Sequence, residues 1–282
     1  MRPRLIPLAG VALALLLARG ASAQTAPEPS ARATDPKVDL RYRPTADPVI
    51  AASLLSGFLL TEFAFKDALA PNHCRWCEPP AFDRAVRHAL LWNDQHLANT
   101  LSYVTAGAEP VLALGAVNLF GRPGERWENT VIVAESVGAV GLFTNAVKFS
   151  VGRQRPAIHY HTQLAADIPA NDANVSFFSG HTSLAFACAV SAGTLSSQRR
   201  YPEAPWVWGI GLAGATATGL LRIGADAHYA TDVLTGALVG SAGGLLVPLL
   251  LHPRLRAGSP NQTMALAAPS TTGGLVGFSG VW

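Results

Sequence analysis

Charge is scarce in this 282-residue chain. Only 14% of its residues are Asp, Glu, Lys or Arg, whereas soluble domains carry roughly 25%. Hydrophobic residues make up 49% of the chain, enough for a large buried core or for apolar helices in a membrane. The length allows one domain or at most two, and no basic tract or patch points to nucleic acid as a partner.

Cysteine is also scarce, with three residues in the chain. Cys74 and Cys77 form a Cys-x-x-Cys pair in a polar loop, whereas Cys188 lies in an apolar run, where a thiol acts as a small buried hydrophobe. In an exported protein the pair predicts a local disulfide. A zinc site would need two more ligands, and only His73 is adjacent. A redox-active pair lacks the strand-helix-strand context of thioredoxin-like motifs, so no metal site is predicted.

The first 23 residues are organised like a secretory signal peptide. Arg2 and Arg4 precede an apolar stretch from Leu5 to Ala18, and Ala21-Ser22-Ala23 fits the small-x-small cleavage pattern. The stretch is shorter than the ~20 residues of a spanning helix, which favours a cleaved leader at 1–23 over an anchor. Arg2, Arg4 and Arg19 also account for the excess of 21 basic over 18 acidic residues. We therefore predict an exported, periplasmic protein that is nearly neutral once processed.

Apolar segments rich in Ala, Leu, Val and Gly follow a flexible Pro- and Ala-rich linker at 24–47. Their length and small-residue content predict helices rather than strands. They occupy 48–65, 109–120, 130–147, 183–196, 206–221 and 232–251, and an amphipathic stretch at about 80–105 adds one or two more helices. The predicted fold is all-α, an antiparallel bundle of about six core helices in a domain at 48–260, with its core at 130–251. Residues 261–282 predict a short β-hairpin or a tail.

Three polar clusters lie at the borders of these apolar segments. Lys148–Pro156 reads Lys-Phe-Ser-Val-Gly-Arg-Gln-Arg-Pro, Ser176–Ser183 reads Ser-Phe-Phe-Ser-Gly-His-Thr-Ser, and Arg222–Asp232 reads Arg-Ile-Gly-Ala-Asp-Ala-His-Tyr-Ala-Thr-Asp. Taken singly, the first cluster could be a solvated helix boundary, the second an ordinary N-cap, and the third a capped helix whose histidine has its hydrogen bonds satisfied. All three together predict one anion site, because cations at helix ends and the free N–H groups of a helix start both bind oxyanions.

A histidine and a carboxylate in the third cluster indicate phosphoryl transfer. Asp232 lies four residues after His228, a spacing that brings the two side chains together on a helix. A carboxylate on one imidazole nitrogen fixes the tautomer and frees the other nitrogen as a nucleophile or base. Lys148 and Arg155, seven residues apart, can share a helix face, and Arg222 can fold back over the anion.

These clusters resemble the signature of the type 2 phosphatidic acid phosphatase family, which shares its fold with vanadium haloperoxidases and bacterial class A acid phosphatases. The signature reads Lys-x6-Arg-Pro, then Pro-Ser-Gly-His, then Ser-Arg-x5-His-x3-Asp. Lys148–Pro156 matches the first part completely. In the second part Phe178 replaces the proline, and in the third Leu221 replaces the serine. Both departures flank the matched residues and remove none of them.

The resemblance implies a role for each matched residue. His228 would attack phosphorus to form a phosphohistidine, oriented by Asp232, and His181 would protonate the leaving oxygen and later activate water. The phosphoryl oxygens would be held by Lys148, Arg155, Ser179, Gly180 and Arg222. No cofactor is implied, and vanadate is expected to inhibit as a phosphate mimic. The substrate would be a phosphorylated lipid, a lipid diphosphate or a small phosphate ester, selected by residues 66–108 and 157–175.

Two other functions stay open at this point. A vanadate-dependent haloperoxidase would use the same cradle, although such enzymes are usually much longer than this chain. A membrane bundle that binds a phosphorylated lipid without turnover would need the cations but no nucleophile.

The membrane topology is open as well. Six spanning segments would place Arg122, Arg126, Arg199, Arg200, Arg254 and Arg256 on one side and the three clusters on the other. The positive-inside rule then puts the clusters outside the cytoplasm. With six spans, residues 24–47 would lie in the cytoplasm, on the side opposite the clusters. Cleavage of the leader would instead leave them outside the cytoplasm. Either the leader is retained, or one segment does not span, or the protein is an exported bundle that is soluble or membrane-associated. We favour the exported bundle.

Overall fold

The computed structural model describes residues 38–255 and the two strands Leu266–Pro269 and Leu275–Phe278. The predicted leader and residues 24–37 of the predicted linker lie outside these residues. The described helices are α1 (Ala46–Leu59), α2 (Lys66–Leu69), α3 (Ala81–Leu90), α4 (Gln95–Leu119), α5 (Arg126–Val151), α6 (Pro156–Tyr160), α7 (Gly180–Gln198), α8 (Ala204–Gly224) and α9 (Ala230–Leu246). Single π-helical turns, Leu60–Ala64 and Val247–Leu251, extend α1 and α9.

Six long helices, α1, α4, α5, α7, α8 and α9, alternate in direction and form the bundle. Helix α7 is central and packs against α4, α5, α8 and α9. Its small residues allow close approach: a Cβ at Gly240 of α9 would lie 2.2 Å from the Ser183 carbonyl oxygen of α7. The prediction of an all-α antiparallel bundle is confirmed.

Helix α4 differs from its predicted form. The amphipathic stretch at 80–105 does contain two helices, α3 and the first part of α4, but the segment at 109–120 is not separate. Asp94 caps α4 by accepting a hydrogen bond from Leu97 N at 2.9 Å, and the helix continues through Pro110 to Leu119. Thr105, the last residue of the first predicted segment, is part of the continuous helix and accepts a hydrogen bond from Thr218 of α8 at 2.9 Å.

The described chain ends meet at one end of the bundle. Leu40 is 4% exposed and forms an isolated antiparallel bridge with Arg254. Arg41 N donates to Pro253 O at 2.9 Å, and Asp47 is buried at the start of α1. Residues 38–47 are therefore part of the fold, which corrects the predicted flexible linker at 24–47 over its last part.

The C-terminal strands form the hairpin that was one of the two alternatives for residues 261–282. They pair antiparallel, with Leu266 opposite Phe278 and Pro269 opposite Leu275.

In the part of the chain that the structure describes, four helical stretches are long and apolar enough to cross a membrane, judged by length and composition alone. They are Ala46–Ala64, Gln95–Leu119, Arg126–Val151 and Ala230–Leu251. Large apolar side chains on the outer helix faces are widely exposed, for example Val111 at 71%, Trp206 at 73% and Leu238 at 71%. Apolar surface of this extent is characteristic of a face that meets lipid or another protein.

Candidate active site

The three polar clusters meet at the end of the bundle opposite the chain ends. There α5 and α8 end and α7 and α9 begin, so the alternating directions bring the clusters to one cavity of about 310 Å³. Its lining comprises Phe58, Glu62, Phe63, Lys66, Tyr103, Thr144, Asn145, Lys148, Arg155, Asp172, Gly180, His181, Leu184 and Arg222. The cavity thus contains five of the eight predicted catalytic and phosphate-binding residues.

His228 lies behind the cavity wall, 1% exposed. Its Nδ1 is 2.9 Å from the Ser176 carbonyl oxygen, an atom that can only accept a hydrogen bond, so the proton belongs on Nδ1. Its Nε2 is 3.0 Å from Arg155 Nη1, a nitrogen that can only donate. Both contacts assign the lone pair to Nε2, on the side of Arg155.

Asp232 stands beside His228 without a direct hydrogen bond to it. Asp232 Oδ2 is 3.6 Å from His228 Nδ1, which is beyond hydrogen-bond distance. The carboxylate instead accepts from Ser176 Oγ at 2.6 Å and from Tyr229 N at 2.9 Å. The spacing of four residues predicted direct contact, but α9 begins only at Ala230, so His228 lies outside the helix that carries Asp232.

Arg153 connects Asp232 to helix α3 through a fully buried network. Its Nη1 donates to Asp232 Oδ1 at 2.5 Å, and its Nη2 donates to Asp83 Oδ2 at 2.6 Å. The guanidinium lies between the rings of Trp76 and Tyr229, at 3.8 and 4.3 Å from their centroids. Arg153 lies behind the cavity and does not line it. Sequence reasoning missed Asp83, which no local pattern links to Arg153.

Lys148 and Arg222 supply unpaired cations to the cavity. Within the described residues, no carboxylate lies within ion-pair distance of either one. Arg222 Nη1 donates to two neutral oxygens, Asn99 Oδ1 at 2.7 Å and Ser102 Oγ at 3.2 Å, and Arg222 Nε has no hydrogen-bond partner in the same part of the chain. Lys148 Nζ approaches the start of α7, where a Cβ on Gly180 would lie 3.0 Å away.

Ser179 and His181 flank Gly180 in different settings. Ser179 is fully buried and does not border the cavity; its Oγ accepts a hydrogen bond from Thr182 Oγ1 at 2.9 Å. It therefore has the N-cap position that the sequence offered as the alternative to phosphate binding. His181 does line the cavity, and its ring meets Tyr103 edge-on at 4.8 Å. Within the described residues His181 forms no hydrogen bond, so a leaving group could reach it.

Three charged residues of the cavity were not predicted: Glu62, Lys66 and Asp172. Lys66 Nζ lies 2.7 Å from Glu62 Oε1 and 2.8 Å from Asp172 Oδ1. Asp172 Oδ2 lies 2.7 Å from Arg155 Nη2. All three belong to segments without a readable motif, but Lys66 and Asp172 fall within the stretches expected to select the substrate.

The cations of the cavity set the protonation states around them. Burial and the charges of Arg155, Arg222 and Lys148 lower the pKa of His228 well below 6.5. Burial and the same group of cations also lower the pKa of His181. For Asp172, burial raises the pKa, but the attraction of Arg155 and Lys148 outweighs burial and holds it far below its ordinary value. Both imidazoles are thus neutral and Asp172 is charged at neutral pH.

The Cys74–Cys77 loop braces the end of α5. The two cysteines form a disulfide, and between them Arg75 N donates to Gly152 O at 2.9 Å while Arg75 Nη1 donates to Ser150 O at 2.8 Å. Over the described residues, no group of three or more His, Cys, Asp or Glu side chains could hold a metal ion. The charges that face the cavity instead suit an anion.

The chain is similar in sequence to known proteins. Residues 129–256 match the model of the PAP2 superfamily. Over 135 residues the chain is 36% identical to the lipid A 1-phosphatase of Porphyromonas gingivalis. That alignment covers 46% of this chain and 26% of the relative, so the chain spans about a quarter of the length of the curated protein that it matches.

One solved structure is also similar. It is the transmembrane PAP2 type phosphatidylglycerolphosphate phosphatase from Bacillus subtilis, with a TM-score of 0.43 and 16% sequence identity, over 71% of this chain and 94% of that one.

Proposed function

We propose that the protein is a phosphatase of the PAP2 superfamily, whose model matches residues 129–256, and that it hydrolyses lipid phosphates through a phosphohistidine on His228. The observation that carries the proposal is an oriented, neutral imidazole beside a group of cations. Nε2 of His228 keeps its lone pair on the side of Arg155, and the unpaired Lys148 and Arg222 line the same cavity. A nucleophile and the counter-charges of a phosphoryl group therefore lie at the same end of the bundle, next to Arg155.

In the first step, Nε2 attacks phosphorus as the bond from phosphorus to the leaving oxygen breaks. Binding of the phosphate anion offsets the cations that lower the pKa of His181, so His181 takes up a proton in the complex and gives it to that oxygen, and the alcohol departs neutral. The imidazole ring gains positive charge as the N–P bond forms. Asp232, 3.6 Å from Nδ1, stabilises that charge, and the Ser176 carbonyl holds the ring in place.

In the second step, His181 takes a proton from water, and the oxygen attacks the phosphorus of the phosphohistidine. The N–P bond breaks, inorganic phosphate leaves, and His228 returns to its neutral form. Lys148, Arg155 and Arg222 stabilise the phosphoryl oxygens in both steps; losing one such donor typically lowers kcat by ~10²–10³. Ser179 would support this cradle indirectly, as the cap of α7.

An apolar wall in the cavity favours a lipid substrate. Phe58, Phe63 and Leu184 line the same cavity as the cations, and Phe63 is 79% exposed. A phosphate held by the cations would leave room for an attached hydrocarbon chain along these side chains. A small phosphate ester would not use this wall. Because one relative is a lipid A 1-phosphatase, lipid A is one of the substrates to test.

We place the bundle in a membrane with its site outside the cytoplasm. The four long apolar helices and the exposed apolar side chains support the membrane setting. Arg122, Arg126, Arg199 and Arg200 lie at the end of the bundle opposite the cavity, which is the side that the positive-inside rule assigns to the cytoplasm. Periplasmic localisation of the site follows from that orientation.

Phosphate release by the purified protein in detergent micelles tests the function. Phosphatidic acid, lipid A, an isoprenyl diphosphate and an aryl phosphate are compared with EDTA present. We expect EDTA-resistant turnover that is faster on the lipids and is lost in His228→Ala. His159→Ala is the matched control, because His159 lies on α6 and does not line the cavity.

Chemical trapping tests the intermediate. Rapid quenching with radiolabelled substrate is expected to leave an alkali-stable, acid-labile phosphoryl group on the wild type and on His159→Ala, but none on His228→Ala. Phosphate binding without turnover in the wild type would favour the lipid-phosphate-binding alternative. Halide oxidation after loading with vanadate, without phosphatase activity, would favour the haloperoxidase.

A further inference from the structure

Asp172 occupies the part of Arg155 that a phosphate would use. The Nε and Nη2 groups of an arginine form the edge on which carboxylates and phosphates bind in bidentate fashion. In this protein Nε of Arg155 donates to the Asp172 carbonyl oxygen at 2.8 Å, and Nη2 lies 2.7 Å from Asp172 Oδ2. A single residue therefore covers this edge with its main chain and its side chain.

The remaining donors of Arg155 are almost all in use. Nη1 donates to Ala227 O at 2.9 Å and lies 3.0 Å from His228 Nε2. A guanidinium has five N–H groups, so these contacts and those with Asp172 leave one for a ligand. By contrast, Lys148 and Arg222 have spare donors and no carboxylate partner in the described chain. A phosphoryl group can thus bind Lys148 and Arg222 directly but has to compete with Asp172 for Arg155.

Asp172 also links two segments over the cavity. On one side it contacts Arg155, and on the other it forms an ion pair with Lys66 of α2 at 2.8 Å. The neighbouring residues repeat this link, since Asn171 donates to Asp67. The carboxylate of Asp172 lines the cavity and its side chain is 22% exposed, so a ligand can reach it.

We propose that Asp172 is a specificity-determining residue whose carboxylate occupies a phosphoryl-oxygen position on Arg155 and competes with the phosphate of the substrate and the product. The inference rests on the proposed function, because it takes the cavity to be a phosphate site. An incoming phosphoryl group displaces the carboxylate from Arg155 while Lys66 retains it. After hydrolysis the carboxylate returns to Arg155 and promotes the release of phosphate. Asp172 therefore weakens binding of free phosphate, so that hydrolysis is not blocked by its product.

The sign of the effect separates this role from a structural one. If Asp172 competes, removing its charge strengthens phosphate binding, because Nη2 of Arg155 loses the charged partner that competes with phosphate. If Asp172 only holds Arg155 in place, removing its charge weakens phosphate binding.

The test is equilibrium binding of inorganic phosphate to the full-length protein in detergent micelles, measured by calorimetry at low and high salt. Asp172→Asn keeps the shape of the side chain, and we expect it to bind phosphate about tenfold or more tightly than the wild type, with the gain reduced by salt. Glu62→Gln removes a carboxylate of the same cavity that, among the described residues, pairs with Lys66 and not with Arg155, and Asp67→Asn weakens only the neighbouring link. Both controls should bind phosphate within about threefold of the wild type.

Steady-state kinetics give a second readout. Competitive inhibition by phosphate should become stronger in Asp172→Asn, and KM should fall together with kcat because product release slows.

Equal or weaker phosphate binding by Asp172→Asn, with wild-type binding and turnover intact, would overturn the inference and leave the proposed function standing. If neither protein binds phosphate and neither has turnover, both the inference and the proposed function are wrong. If Asp67→Asn also binds phosphate more tightly, the gain comes from opening the link between the two segments and not from the loss of a competing carboxylate. That result would also overturn the inference.

Discussion

Arg199 and Arg222 are both buried arginines near the C-terminal ends of long helices, but they lie at opposite ends of the bundle and have opposite surroundings. Arg199 uses every nitrogen: Nε donates to Asn129 at 3.2 Å, Nη1 to Val38 O at 2.7 Å and Nη2 to Glu128 at 2.6 Å. Arg222 donates through Nη1 to two neutral groups, and no carboxylate of the described residues pairs with it. A buried charge is costly unless it is paired, so the two arginines serve different purposes.

The partners of each arginine indicate its role. Those of Arg199 join α5 and α7 to the N-terminal segment, so its charge holds the chain together. Arg222 faces a cavity together with Lys148, and its charge is left for a ligand. The far end of the bundle is thus a structural network, and the site end keeps its positive charge free for a phosphoryl group. Four changes in the chain or its conditions test this difference, from the largest expected effect to the smallest.

Replacing Arg222 should remove activity without harming the fold. We expect Arg222→Gln to lower kcat/KM on the best lipid substrate by ~10³, in the range of a lost transition-state donor. Its Tm should stay unchanged or rise, because a buried charge without a carboxylate partner is removed. Phosphate release and a thermal scan of the same preparation measure both. A clear fall in Tm with retained activity would show that Arg222 is structural.

Replacing Arg199 should do the reverse. Arg199→Gln leaves Glu128 and Glu125 without their cation, and breaking a buried pair costs about 3 kcal/mol. We expect a lower Tm and a lower yield, while kcat per folded molecule stays within about twofold of the wild type. Exposed Arg200 provides the matched control, and Arg200→Gln should leave Tm unchanged. A large loss of kcat in folded Arg199→Gln would mean that the two ends are coupled.

The bundle and the three clusters were predictable because their signals are local. Apolar segments of helical length alternate with polar borders, and Lys148 to Pro156 forms one short run of sequence. Antiparallel helices of similar length then bring alternate borders to the same end. Asp172 and Asp83 could not be predicted in this way. Each one pairs with an arginine from another segment, and only the folded chain brings them together.

The missing hydrogen bond between His228 and Asp232 shows a second limit of the sequence. A spacing of four residues predicts contact only if both residues lie in one helix. Tyr229 is the N-cap of α9, so His228 precedes the helix, and Asp232 contacts the backbone N–H of Tyr229 and the Ser176 hydroxyl instead. Because α9 begins after His228, the Ser176 carbonyl oxygen orients the imidazole and the Asp232 carboxylate does not. A shift of one or two residues in the start of a helix is enough to change this partner.

The unpaired cations of the site end should also shift the pH dependence of activity. Attack by His228 needs its neutral form, and burial with the nearby cations lowers its pKa well below 6.5. An ordinary imidazole would be about nine-tenths protonated at pH 5.5, which would cost about tenfold in rate. We expect kcat/KM to be retained as pH falls through 6.5 and to decline only as pH passes through the lowered pKa.

Lys148 provides the check on this profile, because it is one of the cations that lower the pKa of His228. In Lys148→Gln the acid limb of kcat/KM should move to higher pH, toward 6.5, even though the activity itself is lower. An acid limb at 6.5 in the wild type, unmoved by this substitution, would show that the cations do not control the protonation of His228.

Opening the Cys74–Cys77 disulfide should have the smallest effect, since it acts at the site end but outside the cavity. The bridge closes a very short loop, so chain entropy limits its contribution to about 2 kcal/mol. Trp76 of this loop contacts Arg153, which in turn contacts Asp232, so some loss of order at His228 is expected. Cys74→Ser/Cys77→Ser should lower Tm slightly and kcat/KM a few-fold, whereas Cys188→Ala should leave kcat/KM unchanged. A loss of activity as large as that of Arg222→Gln would mean that the site end depends on the Cys74–Cys77 loop for its structure, just as the far end depends on Arg199. The contrast between the two ends would then no longer hold.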